Sequence, residues 1–189
     1  MPQFYEEPVI LFALVTWVLS EVIGSTVIPL LRQKGKVKTR SDRGSGILVR
    51  VGLIVSFWLC FYFAIRNIAV LPVWFSYVGI TMMLTGIGLR QWAIWVLGGF
   101  FSTNVRIVSD QRIVKDGPYR RLRHPSYTGL LMIVVGLGLA ARTWLGIVAI
   151  LFLFGPAIGY RIDVEENALR KEFGEEYVEL SGILVKTVS

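Results

Sequence analysis

Five apolar stretches, at 9–31, 47–65, 73–98, 127–141 and 144–160, are set apart by polar segments, and each predicts a helix. A bilayer core of roughly 30 Å is crossed by about 20 apolar residues in helical conformation, so the first three stretches are long enough to span it. The last two are shorter and separated only by Arg142 and Thr143, which reads as a tight helical hairpin. The alternating polar and apolar pattern of a membrane barrel is missing, and backbone groups in lipid must then be satisfied within helices. Beyond Tyr160 the chain turns polar, with Leu169 and Phe173 as i, i+4 neighbours, which predicts a separate surface helix ending near Gly174. The expected fold is an all-α, multi-pass transmembrane helical bundle of about five helices plus a short cytoplasmic C-terminal helix.

Interruptions in the pattern carry further expectations. Glu21 and Arg90 fall inside apolar stretches, where an unpaired charge is costly and a partner or a wet cavity is expected. Arg90 is close enough to the cytoplasmic end of its helix to snorkel. Gly136 with Ala140, and Gly155 with Gly159, have the spacing that lets membrane helices pack closely, and Pro156 predicts a kink. Asp116-Gly117-Pro118 predicts a turn, and His124-Pro125 an extended residue followed by the first turn of a helix. No long linker or internal repeat divides the chain. It reads as one domain, with a three-helix N-terminal part (1–99) and a second half (100–189) that carries the candidate chemistry.

Composition supports the membrane reading: 54% of the 189 residues are hydrophobic, 17% are charged, and the mean hydropathy is +0.60. That is too apolar for a soluble domain of this size. The net charge of +7 would suit nucleic acid, but its distribution argues otherwise. Arg32, Lys34, Lys36, Lys38, Arg40 and Arg43 fall in the first loop, and Arg106, Arg112, Lys115, Arg120, Arg121 and Arg123 in the third; the second and fourth loops hold Arg66 and Arg142. The alternation obeys the positive-inside rule, with the amino terminus outside and the first and third loops and carboxyl tail cytoplasmic. The partner of this charge is then the anionic surface of the lipid bilayer, not nucleic acid. The first stretch is not expected to be a cleavable signal, because the residues ahead of it are acidic. A single cysteine, Cys60, excludes an intrachain disulfide and a cysteine metal site, and no metal is expected.

Two constellations could carry chemistry. In Gly117-Pro118-Tyr119-Arg120-Arg121-Leu122-Arg123-His124-Pro125-Ser126-Tyr127, turn formers, aromatics, cations and the lone histidine meet at a membrane entrance. Such a segment offers N–H groups and cations to anions, and aromatic faces to a planar or cationic ligand; the plainer reading is a basic juxtamembrane loop. The second is Arg161 with Glu165 and Glu166 at the cytoplasmic end of the last stretch. This group could hold a charged substrate and a charged cofactor in fixed relation, or be a simple helix-end ion pair.

With Gln111-Arg112-Ile113-Val114, Gly117-Pro118-Tyr119, Arg123-His124-Pro125-Ser126-Tyr127, Arg161 with Glu165, and Phe173-Gly174-Glu175-Glu176-Tyr177, the chain resembles the isoprenylcysteine carboxyl methyltransferase family and related membrane phospholipid methyltransferases. The resemblance implies a transferase that uses S-adenosylmethionine and releases S-adenosylhomocysteine, at a cytoplasmic site. It implies that Gln111, Arg112, Ile113, Val114, Tyr119, His124, Pro125, Ser126 and Tyr127 hold the cofactor, that Glu165 contacts its charged amino-acid end, and that Arg161 binds the carboxylate of a lipid-like or prenylated substrate. Arg161 and Glu165 would be the catalytic pair. The segment from Leu180 to Ser189 departs from the family's usual basic, proline-containing end, which bears on acceptor choice. Carboxyl methylation leads, phospholipid N-methylation is the enzymatic alternative, and a non-catalytic scaffold or transporter is the third reading. A nicotinamide-dependent reductase lacks support, since the chain has no glycine-rich dinucleotide fingerprint.

Overall fold

The computed structural model describes residues 8–32, 37–40, 42–103, 106–108, 113–175 and 177. Helix α1 (Pro8–Val22) passes through a π-helical turn (Ile23–Val27) into α2 (Ile28–Leu31). After strand β1 (Val37–Arg40) come α3 (Ser45–Ile65) and α4 (Trp74–Leu97), which closes in a short 3-10 turn, Gly98–Phe100. Strand β2 (Arg106–Val108) and a 3-10 turn (Gly117–Arg120) lead to α5 (Pro125–Ala140). Then follow α6 (Trp144–Ala149), a second π-helical turn (Ile150–Phe154) and α7 (Gly155–Phe173). Four of the resulting helices are long and apolar enough to cross a membrane, and α5 is a shorter apolar helix.

The five apolar stretches are thus helices, with three departures from expectation. First, the polar segment after Tyr160 is not set apart from the last apolar stretch: α7 continues unbroken to Phe173, because nothing between Tyr160 and Phe173 is a helix breaker. It closes at Gly174 with φ +54°, where the sequence predicts the end of the surface helix. Second, Pro156 does not simply kink its helix. A proline ring crowds the carbonyl four residues earlier, here Phe152, and the π-helical turn over 150–154 takes up the misfit. Pro29 follows the π turn of the first span in the same manner. Third, the polar loops are not wholly irregular: β1 pairs antiparallel with β2, Thr39 opposite Ile107 and Arg40 opposite Arg106. That pairing ties the first loop to the third.

Helix α5 is the centre of the bundle. Leu130, Ile133 and Val134 pack with Trp17 of α1, Ile87 of α4, Ile150 and Phe154 of the π turn, and Ile158 of α7. In lipid, apolar burial gives little net drive for helix association, so close backbone approach matters more. Gly86 on α4 faces Gly129 on α5, and Gly79 faces Gly136, in antiparallel register. A Cβ placed on Gly86 would lie 2.7 Å from the Gly129 carbonyl oxygen, and one on Gly136 2.8 Å from that of Gly79. The expected close packing at Gly136 is therefore present, but Gly155 and Gly159 have open space beside them and do not mediate a close approach. Large apolar side chains such as Phe12, Trp58 and Phe152 point outward, as a lipid-facing surface requires.

At the far end, Thr143 caps α6 by accepting a hydrogen bond from Gly146 N at 3.3 Å, and Arg142 Nε donates to the Leu71 carbonyl at 2.8 Å. These bonds close the hairpin between α5 and α6 against the second loop.

Candidate active site

Helix α5 begins as the sequence predicts. His124 is in a non-helical conformation (φ −126°, ψ 60°), Pro125 occupies the first turn, where its missing N–H is no loss, and the His124 carbonyl accepts from Tyr127 N and Thr128 N. This entry places His124 and Tyr127 side by side, with ring centroids 5.8 Å apart and tilted by 30°. Opposite them runs the polar part of α7. His124 Nε2 lies 3.2 Å from Glu166 Oε1, a distance at which an imidazole N–H donates to a carboxylate, and Tyr127 donates its hydroxyl to Glu165 Oε2 at 2.6 Å. The same hydroxyl oxygen accepts from Arg161 Nε at 3.1 Å. The two constellations read from the sequence therefore meet, joined through Tyr127.

Arg161 and Glu165 do not form the direct i, i+4 pair that their spacing allows. Arg161 instead pairs with Asp42, while Nη1 also donates to Ser45 Oγ at 2.9 Å and Nη2 to the Thr103 carbonyl at 2.8 Å. Glu166 has cations on both sides, Arg123 Nη1 at 3.7 Å and Arg170 Nη2 at 3.0 Å. Tyr177 is buried nearby; burial, followed by the charges of Glu166 and Glu165, pushes its phenol up to about 12.

Along the chain, the turn Gly117–Arg120 lies between Asp116, which borders an open cleft, and His124. Gly117 has φ +58°, and a Cβ there would lie 3.0 Å from Val96 Cγ2 and 3.2 Å from Trp92 Nε1, so both conformation and space favour glycine. Two residues on, burial and then the charge of Glu165 raise the Tyr119 phenol above the usual tyrosine range. The cleft, about 670 Å³, is lined by Arg32, Val96, Gly98, Ile113, Val114 and Asp116, among others. Ile113 and Val114 thus border a hollow, while Gln111 and Arg112 lie outside the described residues.

Ser126 has a different neighbour. Its carbonyl and hydroxyl oxygens accept from Arg90 Nη1 at 3.0 and 2.8 Å, while Arg90 Nε and Nη2 bind the two carboxylate oxygens of Glu21 at 2.7 and 2.6 Å. Arg90 therefore does not snorkel: it is buried among α1, α4 and α5, where a fork of two parallel bonds to a carboxylate satisfies it better than a distant headgroup would.

Residues 74–176, more than half of the chain, match the family model described as phospholipid methyltransferase. The chain belongs to that family. It is 38% identical over 109 residues to a probable protein-S-isoprenylcysteine O-methyltransferase of Oryza sativa, covering 56% of this chain and 57% of the relative. It is 33% identical over 108 residues to protein-S-isoprenylcysteine O-methyltransferase B of Arabidopsis thaliana, covering 56% and 55%. The chain spans about half the length of the curated relatives it matches. Among solved structures, it is similar to the eukaryotic intramembrane Ras methyltransferase ICMT (isoprenylcysteine carboxyl methyltransferase), with TM-score 0.55 and 30% identity over 70% of this chain and 48% of that one. With this neighbour and its own apolar helices, the chain is an integral membrane protein.

The family match runs from α4 to just beyond α7, and so contains His124, Tyr127, Arg161, Glu165 and Glu166. Glu21, Asp42 and Ser45, which complete the two arginine networks, lie outside it. Sequence reasoning named Glu21 only as a charge needing a partner and did not single out Asp42 or Ser45. Glu166 was noted beside Glu165 without a role, although its i, i+4 relation to Arg170 was readable.

Proposed function

We propose that this protein transfers a methyl group from S-adenosylmethionine to the carboxylate of a lipid-soluble acceptor at the cytoplasmic membrane face. The observation that carries the reading is the Tyr127 hydroxyl, bonded at once to Arg161 and Glu165 beside the His124–Glu166 contact. It puts one cation and two carboxylates of α7 against the aromatic entrance to α5.

The residues fit the cofactor. Its sulfonium and ammonium charges suit Glu165, Glu166 and the faces of Tyr127 and His124. Of the residues assigned to it, Ile113 and Val114 border the cleft, whose size is within the range of about 300–1,000 Å³ typical of small-molecule sites, while Tyr119, His124, Tyr127 and Glu165 are not among its lining. Ile113, Val114, Tyr119, His124 and Tyr127 would hold it, with Glu165 toward its amino-acid end; Pro125 and Ser126 would fix the backbone that carries His124 and Tyr127. When bound, the cofactor supplies a methyl group already activated by positive sulfur. Arg161, anchored by Tyr127, Ser45 and Thr103, would orient the acceptor carboxylate. A carboxylate is ionised at neutral pH, so the chain need only position the groups and exclude water, and no general base is required. The second half of the chain would thus be the cofactor half, and the basic first and third loops would face the cytoplasm. The name of the relatives, protein-S-isoprenylcysteine O-methyltransferase, suggests the acceptor class.

A second reading, methylation of a phospholipid amine, is favoured by one observation: Asp42 neutralises Arg161, so the site is less hostile to a cation than Arg161 alone would make it. One experiment separates the two. Purified protein in lipid nanodiscs, given S-adenosylmethionine labelled in its methyl group and an S-isoprenylcysteine acid, is expected to yield a base-labile ester. Label recovered only in base-stable phospholipid would establish the amine reading, and no transfer to either would sink both.

A further inference from the structure

The cation assigned to the acceptor is already occupied by a carboxylate of the chain itself. Arg161 carries five N–H donors. Nε is used by Tyr127, Nη1 by Asp42 and Ser45, and Nη2 by the Thr103 carbonyl, so among the described residues one hydrogen, on Nη2, is left over. An arginine binds an incoming carboxylate best as a fork of two parallel bonds, and here that fork is not available while Asp42 stays. Burial is unequal across the pair, the Arg161 side chain being 4% exposed and that of Asp42 24%. The arginine is fixed inside, and its partner sits on the open side.

We infer that Asp42 is a place-holder for the acceptor carboxylate: its side chain occupies Arg161 at rest and is exchanged for the substrate's acid group. This rests on the carboxylate-acceptor reading and names a specificity-determining residue for it. The exchange is chemically balanced, one carboxylate for another, so no uncompensated charge is left at Arg161. Without an acid acceptor, the buried guanidinium keeps a partner and avoids the cost of an isolated buried charge. A neutral analogue gains nothing by displacing Asp42, so the device discriminates in favour of acids. The local backbone permits it. Asp42 precedes α3, its carbonyl accepts from Ser45 N at 2.8 Å, and that bond does not depend on where the carboxylate points.

Asp42 also has a plain structural role, because its Oδ2 accepts from Gly46 N at 3.2 Å and so satisfies one of the unpaired N–H groups at the start of α3, ahead of the N-cap Gly44. Asp42→Asn separates the two roles, since the amide oxygen of asparagine can still accept from Gly46 N while the side chain carries no charge. If Asp42 holds the place in about nine molecules of ten, it weakens the apparent affinity for an acid about tenfold.

The test measures binding of an S-isoprenylcysteine acid and of its primary amide to wild type and to Asp42→Asn, with Asp42→Ser as a second neutral variant. The expected result is about tenfold tighter binding of the acid to both variants and unchanged binding of the amide. Equal affinity of wild type and variants for the acid, weaker binding of the acid by the variants, or a parallel change for acid and amide would overturn the inference. Failure of the underlying reading looks different: wild type would then yield no base-labile ester from the acid, whatever the ratio of affinities.

Discussion

Arg161→Met is expected to lower kcat/KM for the acid acceptor by roughly 30- to 5,000-fold, the range that follows from removing one partner of a buried, hydrogen-bonded charge pair. Methionine keeps most of the length of the side chain, so the loss is of charge and donors and not of packing volume. Asp42 then faces no cation, Ser45 Oγ and the Thr103 carbonyl lose their donor, and Tyr127 keeps only Glu165. Binding of S-adenosylhomocysteine should fall much less, since Arg161 is assigned to the acceptor. Steady-state kinetics together with product-binding measurements check this. A variant with near-normal kcat/KM would remove Arg161 from the acceptor site.

Arg90→Leu is expected to destabilise the protein by about 3–5 kcal/mol, because it leaves Glu21 charged and unpaired inside the bundle. Ser126 loses both bonds from Nη1, and with them the brace on the first turn of α5. The loss should be largely recovered in the double variant Glu21→Leu/Arg90→Leu, since replacing both members of a buried pair by apolar residues is often neutral or stabilising. Chemical denaturation in detergent micelles measures both. If the single variant were as stable as wild type, or the double variant no better than the single, the Glu21–Arg90 pair would not be the brace described.

Much of the fold was legible because hydropathy is a local signal. Runs of apolar residues marked the helices to within a few residues except at the end of α7, which continues into the polar segment. Gly117-Pro118 and His124-Pro125 announced their turn and helix start through the backbone limits of glycine and proline. Other features were not legible. Periodicity cannot show that Glu21 and Arg90, 69 positions apart, share a bond, or that Asp42 reaches Arg161 across 119 positions. These contacts depend on how α1 is brought against α4, and the turn before α3 against α7. The same blindness produced the mistaken snorkelling of Arg90. Its depth was judged along one helix, whereas its partners come from two others. Gly155 and Gly159 show the reverse error, since small-residue spacing permits close packing but does not place a helix opposite. For the site, the local motifs named the right neighbourhood, and the convergence of His124 with Glu166 and of Tyr127 with Glu165 became visible only in three dimensions.

Titration of S-adenosylhomocysteine into the purified wild-type protein and into His124→Ala and Glu165→Ala tests the central claim most directly, that the α5 entrance and the polar end of α7 form one cofactor site. Saturable binding by wild type is predicted, weakened in each variant by roughly 10- to 150-fold, the range for losing a hydrogen bond to a charged group. Absence of binding by folded wild type, or undiminished binding by both variants, would contradict it.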